Sequence, residues 1–545
     1  MRIHAVFPLA LLAALNLAAC SHVSTSGDTH VVPAGPAARA RPATLRIASA
    51  QVDNLNPVLS GGGSSTYLSF LWAAWLYNVD TQGNLEPELA TTVPTRENGG
   101  ISADGLTITY HLRRGVRWQD GYPFDARDVI FTWRTIMNPK NNVVTRQGFE
   151  RIASMQAPNP YELRMRLKQP YSPAIASLFA PGEVPFCILP SHLLAHLSDI
   201  NRAAYNLKPV GTGPFTIVRY DPSTGAYLEA NRSYWRGPPK LRGINYLFIP
   251  DPNTVQVMMR TGELDLAYVT ATRAQELQGQ TGVRIVHRPA NYVTFLALNE
   301  RHAPLDDERV RRAIAMAVDR RRYLDTFQHG IGSLADADQP PFLWSYNPNV
   351  HAPPYDIQGA QKLLDAAGWH VGPSGYREKA GQRVALTYSY SNSQADANRF
   401  GPQFQETMRR IGVAVTIRSY PYNLFYGQAS AGGILTGGKY DVAFAGWIGG
   451  TDPDDASLWM CDQIAPNGYN WSFACDPRID ALERMALRSY DRAVRRQAYW
   501  RIQELLAEDV PAVFLTWSDN IYATRASLRG FSPTSTYSEA WNWQL

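Results

Sequence analysis

Residues 445–455 read AGWIGGTDPDD. An apolar run ends there in a glycine-rich loop with one large aromatic side chain and three carboxylates, a setting able to hold a charged small molecule. The candidate contacts are Trp447, Gly450 and Asp452. A carboxylate taken out of water must find a partner, so Asp452 would pair with a ligand cation. The other reading of Asp452 is a cap, through an Asx turn ahead of Pro453. Further candidates by position are Tyr292, Tyr388, Tyr390, Asn392, Trp344 and Asn56. Tyrosine and tryptophan offer flat apolar area with one polar handle, and each would otherwise serve as core.

Enzyme motifs are missing from the sequence, which contains no His-Glu-x-x-His and no Gly-x-Ser-x-Gly. Residues 433–440 have the Walker A spacing but end in Tyr440, where Mg²⁺ needs Ser or Thr. The eleven histidines are scattered, and Cys461 and Cys475 have no third and fourth ligand at metal spacing. Asp452, Asp454 and Asp455 lack the glycine and distal glutamate of a calcium loop. The expectation is a binding protein rather than an enzyme, without cofactor or metal. An exported hydrolase is the competing class, and it has no catalytic constellation here. The formal net charge is +5 with no long basic run. Arg309, Arg311, Arg312, Arg320, Arg321 and Arg322 fall on one expected helix, whose solvated face accounts for them without nucleic acid.

The elements that must position the loop are legible in part. At 101–139 the chain reads ISADGLTITYHLRRGVRWQDGYPFDARDVIFTWRTIMNP. Leu106, Ile108, Tyr110 and Leu112 alternate with polar residues, and Asp104-Gly105 and Asp120-Gly121 bracket two such runs, which predicts a strand pair. Asp125 then caps a helix whose apolar residues recur to Met137, before Asn138-Pro139 stops it. Strands are expected at 44–50, 291–299, 384–390 and 440–447, and an apolar helix at 66–77. Gly211, Gly213 and Pro214 mark a tight backbone passage before a strand at 215–220. Asp307 and Asp356 stand at helix starts.

The stretch DGLTITYHLRRGVRWQDGYPFDARDVIFTW, with GTGPF, ANRSYWRGPPKL and GELDLAYV further on, resembles the extracytoplasmic solute-binding proteins of peptide, nickel and opine ABC importers. The resemblance spans nearly the whole chain after the leader. It implies an α/β, bilobal, periplasmic-binding-protein-like (Venus flytrap) fold with an additional small lobe and a two-strand hinge. The implied lobes are 44–80, 207–290 and 518–545 for the first, 81–206 for the small accessory lobe, and 291–517 for the third. The chain would cross between lobes near 288–294 and 514–520, and closure would trap a ligand. The implied function is capture of a short peptide and its delivery to importer permease subunits, by a monomer. A non-peptide solute such as an oligosaccharide, opine or metal chelate is the alternative. In the resembling peptide binders an acidic residue a few positions after the tryptophan holds the peptide ammonium. Here Gly449 and Gly450 occupy those positions and Asp452 is the nearest carboxylate, which would substitute in a loop one residue shorter.

Residues 1–20 carry Arg2, a short apolar run and then Leu17-Ala18-Ala19-Cys20, the pattern of a lipoprotein signal peptide. Cys20 is expected to carry the lipid, so that the membrane is reached through this anchor alone, on the extracytoplasmic (periplasmic) side. Residues 21–43, rich in Ser, Thr, Gly, Pro and Ala, read as a flexible linker. The roughly five hundred residues that follow exceed one hydrophobic core. Of the three remaining cysteines, Cys461 and Cys475 lie close enough in sequence to bridge in an oxidising compartment, and a cysteine pair near this place also occurs in the resembling dipeptide binders. Two buried free thiols are the alternative.

Overall fold

Two long strands run through the molecule, and everything that shapes the candidate site hangs on them. The computed structural model describes residues 43–60, 63–80, 82–181, 186–533 and 536–545. The first long strand, Val283–Leu298, pairs antiparallel with the second, Ala512–Arg525. Their ladder runs from Val283 opposite Arg525 to Pro289 opposite Asp519, slips, and resumes with Val293 opposite Trp517. Proline has no N–H to give a ladder, so Pro289 marks where pairing lapses. Burial follows the same division. The middle of the second strand, Ser518 to Asn520, is half-exposed between two buried ends. Only the 293–298 end of the first strand is fully buried. The sequence-based strand at 291–299 is therefore the visible end of a strand of 16 residues. Arg284, His287, Arg288 and Pro289 hide the rest from an apolar-run criterion.

These strands lie at the centre of an eleven-stranded sheet. On one side the second long strand pairs with Leu266–Tyr268, which leads to Thr44–Ser49, Gly243–Phe248, Gly225–Ala230 and Phe215–Asp221. On the other the first long strand pairs with Val442–Ile448, followed by Ala385–Ser391 and Ala414–Tyr420. Successive residues of a strand point to opposite faces. Accordingly Leu296 and Leu298, with Val442 and Phe444, enter one apolar cluster, while Phe295 and Ala297, with Ala443 and Ala445, enter another. The sheet is covered on both faces there, which is why 442–445 reads as a continuous apolar run.

The stretch 101–139 departs from its sequence reading in one respect. Thr107–His111 is a strand with Ile108 and Tyr110 fully buried, but its partner is Glu162–Leu167, not the run before Asp120. Residues 113–120 form a loop, because Trp118 turns inward and donates its Nε1–H to Asp128 at 3.1 Å. Asp125 caps the helix Ala126–Met137 and forms a capping box with Asp128. The apolar helix is Gly63–Trp72 and stops short of 77. Beyond it the N–H groups of Trp75 and Leu76 donate to Glu88 Oε2 (3.1 Å) and Phe179 O (2.9 Å), leaving no helical ladder to continue. The arginines expected on one helix lie on two, Glu308–Ala317 and Arg320–Phe327, the second capped anew by Asp319. At the tight passage, a Cβ on Gly211 would stand 1.9 Å from Trp72 O, so only glycine fits. No helix among the described residues is long and apolar enough to cross a membrane.

Candidate functional site

Where the two long strands slip, their exposed middles open into a cleft of about 990 Å³. Residues 288–292 and 518–520 line its waist. One wall is tyrosine: Tyr67, Tyr246, Tyr268, Tyr522 and Tyr537. Tyr268 and Tyr522 oppose each other across the ladder and pack edge to face at 5.5 Å, and Tyr67 lies 5.5 Å from Tyr537. The far wall contains Phe342, Ile448, Gly449, Gly450 and Thr451. Burial pushes the hydroxyls of Tyr67 and Tyr292 up, so they meet a ligand as neutral donors and acceptors. The result is a large apolar surface with a few convergent polar groups, the usual make-up of a small-molecule site.

The glycine loop is tied to the waist rather than free. Gly449 N–H donates to Asn291 O (2.9 Å), and Asn291 Nδ2–H donates to Gly450 O (2.7 Å). Tyr292 and Ile448 are opposite partners in the ladder, so both point into the cleft. Tyr292 covers Gly446, where a Cβ would stand 2.1 Å from its hydroxyl oxygen. Glycine at 446 is what lets the tyrosine lie down.

Of the candidate ligand contacts, Tyr292 and Gly450 line the cleft, and the others do not. Trp447 points to the opposite face of its strand and packs on Tyr469 (5.1 Å) and Trp471 (6.0 Å). Asp452 is buried, and its carboxylate accepts from Arg495 Nη1 (2.9 Å) and Nη2 (2.5 Å), which corrects the expectation that it awaits a ligand cation. It also accepts from Asp454 N–H at 3.2 Å, the Asx turn weighed as its other role. Trp344 stacks over Arg492 (5.0 Å) and Arg495 (5.3 Å). Tyr388 is core and donates to Ala397 O (3.2 Å), and Tyr390 donates to Asn398 Oδ1 (2.8 Å). Asn392 is exposed beyond the end of Ala385–Ser391, away from the cleft lining. Asn56 is fully buried, donating to Asn206 Oδ1 (3.1 Å) and accepting from Val58 N–H (3.1 Å). Position along the sequence could not separate these from the lining, because strand alternation and side-chain pairing decide which face each serves.

The sequence reading missed the tyrosine wall. Tyr67 sits on a helix that reads as core, Tyr268 lies on a separate strand, and Tyr522 and Tyr537 belong to the return segment. The one available signal was the aromatic density of the return segment 518–545. Cys461 and Cys475 are joined in a disulfide with Cα atoms 4.6 Å apart. Cys187 is buried, which pushes its thiol up to about 12. Cys20 lies outside the described residues. Among the described residues no group of three or more His, Cys, Asp or Glu is arranged to hold a metal ion.

Behind the loop lies a set of buried carboxyls. Asp455 accepts from Gln339 Nε2 (2.7 Å) and Asp338 from Trp459 Nε1 (3.0 Å). Glu483, on the helix Pro477–Arg488, is fully buried, and burial pushes it up to about 8. Burial, then the neighbouring acids, also raise Asp338 and Asp455.

Comparison with known proteins bears on the whole chain. The profile of the bacterial extracellular solute-binding proteins, family 5 (middle), matches residues 84–468. Protein XP55 of Streptomyces lividans is 28% identical, covering 94% of this chain and 90% of its own. The oligopeptide-binding protein AppA of Bacillus subtilis is 25% identical over 96% of this chain and 94% of its own. Its solved structure, in complex with a nonapeptide, superposes with a TM-score of 0.75 at 24% identity, covering 93% of this chain and 100% of that one. NikZ from Campylobacter jejuni, in complex with Ni(L-His), gives a TM-score of 0.75 at 24% identity, covering 92% and 99%.

Proposed function

Because the chain belongs to the bacterial extracellular solute-binding proteins, family 5, we propose that it captures a short peptide in the cleft and hands it to the permease subunits of an ABC importer. The observation that carries this reading is the cleft itself: about 990 Å³, tyrosine-walled, at the waist of two strands shared by both halves of the sheet. Segments 44–80, 207–290 and 518–545 act as one lobe, 81–206 as an accessory lobe and 291–517 as the other. The waist serves as hinge, and closure buries the ligand. The protein works as a monomer, held to the extracytoplasmic side of the membrane by lipid on Cys20. The nonapeptide bound by AppA supports a peptide ligand. A second reading, a non-peptide solute such as a metal chelate, is favoured by one observation: Gly449 and Gly450 line the cleft without a carboxylate to meet an amine, and NikZ was solved with Ni(L-His).

A thermal-shift screen separates the two. A ligand at a hundred times its dissociation constant stabilises the folded state by about 2.7 kcal/mol. Raised melting temperatures with di- to nonapeptides support peptide capture. Shifts only with nickel–histidine, opines or oligosaccharides replace the solute and keep the transport role.

A further inference from the structure

The cleft is poor in charge that a ligand could use. Among its described lining residues four have acidic or basic side chains: Asp80, Arg273, Arg288 and Asp519. Three are already engaged. Asp80 accepts from the N–H groups of Gln82 (2.7 Å) and Asn84 (2.8 Å) and from Asn84 Nδ2 (3.0 Å). Arg273 donates to Asn253 Oδ1 (2.6 Å), Glu276 Oε2 (2.7 Å) and Gln256 Oε1 (2.8 Å). Asp519 meets His287 Nδ1 at 2.5 Å. Arg288 is exposed, stands opposite Asn520 at the waist, and has no partner among the described residues. On the far wall the loop offers Ile448, two glycines and Thr451, and the next carboxylate along, Asp452, is committed to Arg495.

We infer that the solute is held by a carboxylate on Arg288, its apolar or aromatic body lies along the tyrosine wall, and any amine it carries goes without a charged partner. A guanidinium presents a planar fork that matches a carboxylate with two parallel hydrogen bonds. Exclusion of water on closure strengthens that contact and penalises a guanidinium left alone. The tyrosine hydroxyls, neutral through burial, are left to bind amide groups. This inference rests on the transport reading above and deepens it for a peptide solute, whose own C-terminus supplies the carboxylate.

The test is calorimetric titration of the full chain with one tyrosine-containing tetrapeptide in three forms: free, N-acetylated and C-terminally amidated. The N-acetyl form should bind as the free peptide does, and the amide about tenfold or more weakly, the usual loss for a charge-assisted pair. Arg288→Ala should bring the free peptide down to the level of the amide and leave the amide unchanged. Arg288→Lys should retain part of the preference for the acid. An amide that binds as tightly as the acid overturns the inference alone, as does an acid preference that survives Arg288→Ala in a protein with a wild-type melting curve. If none of the three forms binds, the peptide reading falls and the inference with it.

Discussion

Removing the negative charge of Asp452 leaves the Arg495 guanidinium without its counter-ion in a place water does not reach, with side chains only 6% and 8% exposed. Breaking a buried pair from one side costs about 3–5 kcal/mol. Asp452→Asn should therefore lower the unfolding free energy from urea denaturation by that much, while solute affinity of the folded protein changes by less than about twofold, as expected for a site outside the lining. A tenfold loss of affinity at unchanged stability would return Asp452 to the ligand. At this scale the sequence offered Asp452 as a ligand anchor or an Asx cap, and its pairing with Arg495, from a helix 43 residues further on, was neither.

At the scale of elements, the helix Pro477–Arg488 presses Glu483 against Asp455 beneath the loop that lines the cleft. Burial lifts the Glu483 carboxyl from its ordinary 4.5 to about 8, so the folded state holds that proton more tightly than the unfolded chain does. The associated stability is fully present below about pH 4.5 and is lost as the pH rises through about 8. Urea midpoints measured from pH 5 to 9 should fall across that window, and Glu483→Gln should flatten the fall. An identical slope in the variant would assign the dependence to other groups. Helix caps were the most legible elements: Asp125, Asp307 and Asp356 each accept from a backbone N–H of the first turn. They could be read because a cap is a contact between residues two or three apart.

On the scale of the whole molecule, the segment 81–206 and the segment 291–517 touch one another. Thr451 Oγ1 donates to Pro181 O (3.1 Å), Tyr171 OH to Asp454 (3.1 Å), Ser172 N–H to Leu487 O (2.8 Å) and Tyr490 OH to Gly105 O (3.0 Å). In the proposed hinge motion these bonds form only while the two segments are together, and those of Ser172 and Tyr490 lie away from the cleft lining. A neutral hydrogen bond contributes about 1 kcal/mol, roughly a fivefold shift in a two-state balance. Tyr171→Phe combined with Tyr490→Phe should weaken solute binding several-fold and enlarge the radius of gyration of the ligand-free protein in X-ray scattering. Unchanged values for both would mean that these contacts do not hold the halves together.

The sequence by itself determined the family, through the resemblance carried by the thirty residues from Asp104, and the α/β fold class came with that resemblance rather than from any local pattern. It also determined the strand expected at 440–447, because both faces are covered over 442–445 and the apolar run there is continuous. Tertiary structure alone decided which side chains face the solute. Tyr67, then Tyr268 and Tyr292, then Tyr522 and Tyr537 come from three stretches roughly two hundred residues apart and line one cleft through long-range pairing such as Tyr268 opposite Tyr522. Trp447 and Ile448 are neighbours in sequence on opposite faces of one strand. No local pattern states which face a distant wall will cover, and that single fact sends the tryptophan to the core and the isoleucine to the cleft.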